Sequence, residues 1–224
     1  MSNLSKLQLW MLENNIDIFI VNRTDEFLGE YIAPYAERLK WVSNFSGSSG
    51  KAIILKNSAI IFVDGRYTFQ AKDEVNNKIF KIEHLIHFWK RFKKLLTNNF
   101  IIGLDPSLHS KDDINKIKKL LQDFKSQINY LEKNPIDILW KNQPLRPKSK
   151  SFIQEIRYSG KSIEKKIKQI QTILINNKIN YYLLTALDSI AWLLNIRGND
   201  ISHTPLSMAY AIITSHKKVE LFID

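Results

Sequence analysis

The 224-residue sequence contains no cysteine. That excludes a disulfide framework, a zinc–thiolate site and a cysteine nucleophile. Glycine and proline are sparse, at 7 and 6 residues, so turns must be found where the few of them gather. No apolar run approaches the about 20 residues needed to span a bilayer. Met1 to Asn15 has Lys6 as its only positive side chain and is interrupted by Glu13 and Asn14, unlike a secretory signal. A soluble, cytoplasmic chain with no membrane partner is expected.

Basic charge is plentiful: 33 Lys and Arg against 22 Asp and Glu give a net charge of +11. Lys90-Arg91-Phe92-Lys93-Lys94 and Lys161 to Lys168 concentrate it. These lysines are expected on the polar faces of amphipathic helices, and no groove-reading motif accompanies them. The charge therefore reads as a solvated face, not as a nucleic-acid site.

The stretch Glu37 to Tyr67 organises the chain. Glu37 to Val42 suits a short helix, and Ser46-Gly47-Ser48-Ser49-Gly50 ends it. Lys51 to Lys56 and Ser58 to Asp64 are β-rich runs about an Asn57-Ser58 turn, which is a hairpin pattern. Asp64-Gly65-Arg66-Tyr67 then turns into a helix over Tyr67 to Val75, holding Arg66 on a rigid edge.

Before this stretch, a helix is expected over Leu4 to Leu12, a strand buried on both faces over Ile16 to Val21, and a helix over Thr24 to Ile32 ended by Pro34. After it come strand Ile79 to Ile86, helix Phe88 to Leu96 and strand Phe100 to Leu104. A helix follows with Ile114, Ile117, Leu120, Leu121 and Phe124 on one face, and Ser110 and Asp113 at capping-box spacing; strand Ile128 to Leu131 closes the series. The alternation indicates an α/β domain with a mixed, largely parallel sheet flanked by helices.

Lys141 to Lys150, with Pro144 and Pro147, reads as a linker, dividing residues 1–140 from residues 151–224. Beyond it are a helix carrying Ile163, Ile167, Ile170 and Leu174, strand Tyr181 to Thr185, helix Leu187 to Ile196 and a polar loop Arg197 to Pro205. Strands Met208 to Thr214 and Val219 to Ile223 are joined by Ser215-His216-Lys217-Lys218. The sequence stops at Asp224 directly after an apolar strand, which reads as an incomplete second domain.

Candidate sites are few. Gly160-Lys161-Ser162 lacks the upstream glycine of a phosphate loop, since Glu155 stands there. His84 and His87 have one carboxylate beside them, Glu83, too little for a metal site. His109 reads as a loop residue before a helix; His203, in the polar loop after Arg197-Gly198, is the foremost functional candidate among the histidines, though the sequence places no nucleophile or carboxylate beside it. Arg66 has two readings: an ion pair with Asp64, Asp73 or Glu74, or a guanidinium gripping a carbonyl or carboxylate.

Tyr31-Ile32-Ala33-Pro34, Trp41 to Gly50, Asp64-Gly65-Arg66-Tyr67, Gly103-Leu104-Asp105-Pro106, Ile138-Leu139-Trp140 to Pro147, Thr185 to Gly198, Tyr210 to Thr214 and Leu221 to Asp224 occur in that order. Together they resemble the amino-terminal part of Xaa-Pro aminopeptidase (aminopeptidase P) in its three-domain form. The resemblance implies a creatinase-like N-terminal domain followed by a second, truncated domain of the same type. It further implies a third, pita-bread domain holding two metal ions, usually manganese, that removes an N-terminal residue preceding proline. None of that domain's metal ligands matches a residue here, so no catalytic residue, metal or cofactor is expected in these residues, and no peptidase activity from them alone.

Arg66 matches the family's DGRY arginine, which is associated with substrate binding. Arg197 and His203 fall in a matching loop, where Thr204 replaces the usual Asn. The implied partners are a catalytic-domain chain or a second copy, with a proline-containing peptide bound only in the complete enzyme. The alternative is a stand-alone binding or assembly module serving a separately encoded metallopeptidase.

Overall fold

The computed structural model describes residues 1–216 and 218–224. Lys217, in the turn expected before the last strand, lies outside the described residues. Two compact units form. The first comprises residues 1–30 and 34–144, the second residues 31–33 and 145–224.

In the first unit the order is α1 (Asn3–Glu13), β1 (Ile18–Asn22), α2 (Arg38–Ser43), β2 (Gly50–Leu55), β3 (Ala59–Val63), α3 (Thr68–Glu74), β4 (Phe80–His84), α4 (Phe88–Leu95), β5 (Ile101–Leu104), α5 (Lys111–Leu121), β6 (Gln127–Tyr130) and α6 (Pro135–Leu139). Six strands form one sheet in the order β4-β3-β2-β1-β5-β6. The pairs β3/β4, β1/β5 and β5/β6 are parallel, whereas β1/β2 and the hairpin β2/β3 are antiparallel.

Successive strand residues alternate faces, so a strand apolar throughout must be covered on both sides. Phe19, Val21, Ile54, Ile61 and Val63 pack on one face with Leu7 and Met11 of α1, Leu39 of α2, Ala71 of α3 and Ile136 of α6. Ile18, Ile20, Ile53, Ile60, Phe62 and Ile102 pack on the other with Phe88 and Phe92 of α4 and Ile117 and Leu121 of α5. The result is a helix–sheet–helix sandwich. Its parallel strands all deliver their carboxyl ends to one edge, where Asn22, Asp64, His84 and Asp105 stand.

The second unit runs β7 (Phe152–Ile153), α7 (Ile156–Ser159), α8 (Ile163–Asn176), β8 (Tyr181–Leu184), α9 (Leu187–Leu194), β9 (Ile196–Arg197), β10 (Ala209–Thr214) and β11 (Glu220–Ile223). Its three-stranded sheet, β11-β10-β8, is antiparallel throughout. Leu174 of α8, Ile190 and Leu193 of α9, and Ala209, Ala211 and Ile213 of β10 form its core. The opposite face carries the exposed Tyr181, Leu183 and Phe222.

Three expectations fail. Residues 24–32 form no helix, because the Asp25 carboxylate captures the N–H groups of Phe27 and Gly29, each at 3.0 Å, and Leu28 takes φ +55°. A side chain competing for backbone donors defeats the helical alternative. The helix from Leu187 stops at Leu194, where Asn195 adopts φ 48° as a left-handed cap and Ile196 enters β9. Lys166 is not on a solvated face: it is 2% exposed, and its ammonium donates to Trp192 O and Asn195 Oδ1 at 2.7 and 2.5 Å. The capping box also forms only by half. Ser110 Oγ accepts from Asp113 N at 3.1 Å, while the Asp113 carboxylate turns to Lys51.

Candidate functional site

Arg66 sits on a one-turn 3-10 helix, Gly65–Tyr67, between β3 and α3. Asp64 caps this turn, accepting Arg66 N at 3.1 Å and Arg66 Nε at 2.8 Å through the same oxygen. The hydrogen bond from Arg66, with the charge behind it, holds the Asp64 carboxyl below the usual carboxylate range and raises the Arg66 pKa in return. The Arg66 side chain remains 69% exposed. Asp64 thus fixes its stem and leaves the terminal N–H groups to solvent or a ligand, in the fork geometry that suits a carbonyl or carboxylate.

The turn is braced from beneath. Tyr67, whose ring lies 5.5 Å from the Arg66 guanidinium, shares a 2.6 Å hydrogen bond with Ser48 Oγ. It packs edge-on against Phe45, with centroids 5.8 Å apart. Phe45 in turn lies so close over Gly47 that a Cβ there would stand 2.3 Å from Phe45 Cζ. Glu74 closes the other side, accepting Ser46 N at 2.7 Å and Ser46 Oγ at 2.6 Å. The Ser- and Gly-rich segment is therefore a packed support for Arg66.

The other sequence candidates take different places. Arg197 donates through Nη1 to Ala191 O at 3.0 Å and Ile196 O at 2.8 Å, closing the carboxyl end of α9. His203 is exposed at φ +59° in a turn closed by the Ile201–Thr204 bridge. No hydrogen bond joins the two among the described residues. Asp200, which the sequence did not single out, fastens that loop: its carboxylate accepts Ser149 N and Met208 N, each at 2.8 Å.

His84 Nδ1 accepts from Ile86 N at 3.2 Å, and Glu83 pairs with Arg91 and Lys81. Among the described residues no group of three or more His, Cys, Asp or Glu could hold a metal ion. A two-metal centre therefore does not fit the donors present. No helix among the described residues is long and apolar enough to cross a membrane.

Residues 3–133 match a family model described as creatinase/prolidase N-terminal domain, and residues 142–224 match a second of the same description. The probable Xaa-Pro aminopeptidase P of Paracoccidioides brasiliensis is 33% identical over 99% of this chain and 36% of its own length. That of Talaromyces stipitatus is 34% identical over 99% of this chain and 34% of its own length. The chain thus spans about a third of the length of the curated relatives it matches. The crystal structure of X-prolyl aminopeptidase from Caenorhabditis elegans, described as a cytosolic enzyme with a di-nuclear active site, superposes with a TM-score of 0.88 at 28% identity. That match covers 93% of this chain and 35% of that one.

Proposed function

The chain belongs to the creatinase/prolidase N-terminal domain family, and from that premise we propose that it serves as the non-catalytic, amino-terminal part of an Xaa-Pro aminopeptidase. The observation that carries the reading is the near-complete overlay on the nematode enzyme, at a TM-score of 0.88 over 93% of the chain. In the complete enzyme, two manganese ions would supply the water-activating chemistry that releases an N-terminal residue ahead of proline. The donors present here do not fit such a centre. Cleavage is accordingly not assigned to these residues.

Their part is substrate support. Arg66, pre-oriented by Asp64 and 69% exposed, is the residue to grip a backbone carbonyl or carboxylate of a proline-containing peptide. Arg197 and His203 rank below it, since Arg197 Nη1 is committed to two carbonyls. The cytoplasm is the proposed location, and neither nucleic acid nor membrane is a proposed partner.

A second reading, an assembly module for a separately encoded metallopeptidase chain or for a second copy of itself, draws on the exposed Tyr181, Leu183 and Phe222 face.

One assay separates these. The 224-residue chain is incubated with manganese and a proline-containing peptide, alone and with a separately expressed pita-bread domain. Release of the first residue only in the mixture is the expected result, lost by more than about tenfold in Arg66→Ala. Release by the chain alone would overturn the non-catalytic assignment.

A further inference from the structure

The second unit repeats the opening of the first. Apart from the two-residue β9, the succession α8-β8-α9-β10-β11 follows α1-β1-α2-β2-β3, with the three strands antiparallel in the same order. The likeness reaches single residues. Asn15 and Lys178 follow the first helices at φ 55° and 57°. The N–H groups of Ile16 and Ile179 then donate to Met11 O and Leu174 O, each at 2.8 Å. Asn44 and Asn195 end the second helices as left-handed caps, each three residues after a tryptophan, Trp41 or Trp192. Phe19 stands opposite Ile54 as Tyr182 stands opposite Ile213.

The units differ in what covers these residues. In the first, α6 packs against α1 and α2. Its Ile136 is fully buried in one core with Leu7, Phe19 and Ile54. Trp140, at its end, lies 6.2 Å from the Trp41 ring, and Asp137 takes both hydrogen bonds of the Arg38 fork. In the second unit the same place is an open groove of about 420 Å³, bordered by Ile170, Tyr182, Trp192 and Ile213. These are the counterparts of Leu7, Phe19, Trp41 and Ile54. Trp192 and Tyr182 are 49% and 47% exposed. Ser189 takes the position of Arg38, and Asp188 beside it also lines the groove. The Asp188 carboxylate accepts Ser189 N at 2.7 Å and pairs with no Lys or Arg among the described residues.

The filled groove of the first unit shows what the open one is shaped for. Ile136 and Trp140 are four residues apart, so a single helical turn delivers both anchors to one side. We propose that the Trp192 groove receives a one-turn helix of the same kind from the catalytic polypeptide. An aliphatic anchor meets Ile170 and Tyr182, an aromatic side chain four residues later meets Trp192, and a Lys or Arg between them meets Asp188. The charge order is thus the reverse of the first unit's Arg38–Asp137 pair. The source follows from succession: α6 is the last element of the first unit, so its counterpart belongs to the leading segment of the domain that comes after the second. That source rests on the function proposed above, whereas the shape and charge of the groove do not.

The probe is a synthetic peptide of residues 133–143 carrying Asp137→Lys, titrated into the ¹⁵N-labelled full chain. The Trp192 indole N–H, identified by its loss in Trp192→Phe, should shift saturably. The peptide with Asp137 retained should bind about threefold more weakly, and one with Trp140→Ala at least about tenfold more weakly. Asp188→Asn in the chain should abolish the first difference and keep the second. In the mixture with the catalytic-domain chain, Trp192→Ala should raise the amount of that chain needed for half-maximal release by at least about tenfold, at an unchanged Tm. Should Trp192→Ala unfold, the peptide series on the wild-type chain decides. Absence of saturation up to about 5 mM, or equal binding of all three peptides, overturns the proposal and leaves the enzyme reading in place where the mixture is active. Discrimination among the peptides with an inactive mixture upholds the groove and removes the catalytic chain as its occupant.

Discussion

Arg38 and Asp137 meet in two parallel hydrogen bonds, Nε to Oδ1 and Nη2 to Oδ2, both 2.8 Å. They tie α2, which leads into the Ser- and Gly-rich support of Arg66, to α6 at the end of the first unit. Arg38 is 7% exposed, and its Nη1 is already buried without a partner. Removing the carboxylate would strand the whole guanidinium. Asp137→Ala is expected to cost about 3 kcal/mol in urea unfolding, while Arg38→Met with Asp137→Leu should recover most of that. An Asp137→Ala midpoint equal to wild type would show that the pair is idle.

Gly47→Ala tests the packed support. The added methyl would overlap the Phe45 ring, which must then move and take Tyr67 with it. A loss of about 1–3 kcal/mol is expected from overpacking. Altered near-ultraviolet circular dichroism from Tyr67 should accompany it. Unchanged stability and spectrum would mean that the segment yields freely.

His109 sets a pH dependence. Its Nδ1 lies 2.8 Å from Asp105 O, so Nδ1 is the donor and the buried Nε2 stays unprotonated and unpaired. Burial, reinforced by the Lys51 charge, holds its pKa below the ordinary 6.5 despite the Asp105 carbonyl and the charges of Asp113 and Asp105. The unfolded chain therefore takes up a proton near pH 6.5 that the folded chain refuses. The stabilising contribution is complete above that value and declines as pH falls through it towards the folded pKa. Denaturant midpoints measured downward from pH 7 should show a steeper fall for wild type than for His109→Gln. Parallel curves would remove His109 as the cause.

Arg66→Ala should leave the urea midpoint unchanged, because the Arg66–Asp64 pair is on the surface and such pairs contribute little. Activity with a catalytic domain should fall all the same, and Arg66→Lys should not restore it, since an ammonium lacks the planar fork. Full rescue by lysine would reduce the role of Arg66 to bulk charge.

The central strands were legible because β1 is apolar from Ile18 to Val21 and β3 is apolar throughout, the mark of a sheet covered on both faces. Arg66 was legible through its turn, whose Asp and Gly announce the break from strand to helix. The five-residue α6 went unread, although Asn134 and Pro135 give it a standard start: one turn of helix offers too few positions for periodicity to register. Residues 24–32 misled, because helical spacing does not reveal that Asp25 will bind the backbone. The Lys51–Asp113 ion pair left no trace in the sequence. Lys51 and Asp113 are ordinary residues on separate elements, and only the strand order brings them together.

That strand order also sets the chain-entropy cost of closing the sheet. The β2–β3 hairpin closes through a tight turn, but the Asp17 carboxylate accepts Ile101 N from 84 residues along the chain, where β1 meets β5. Closing so long a loop is the costliest strand pairing of the first sheet in chain entropy, and contacts of this span govern folding speed. The fold is therefore complete only once the longest sheet loop of the first unit has closed.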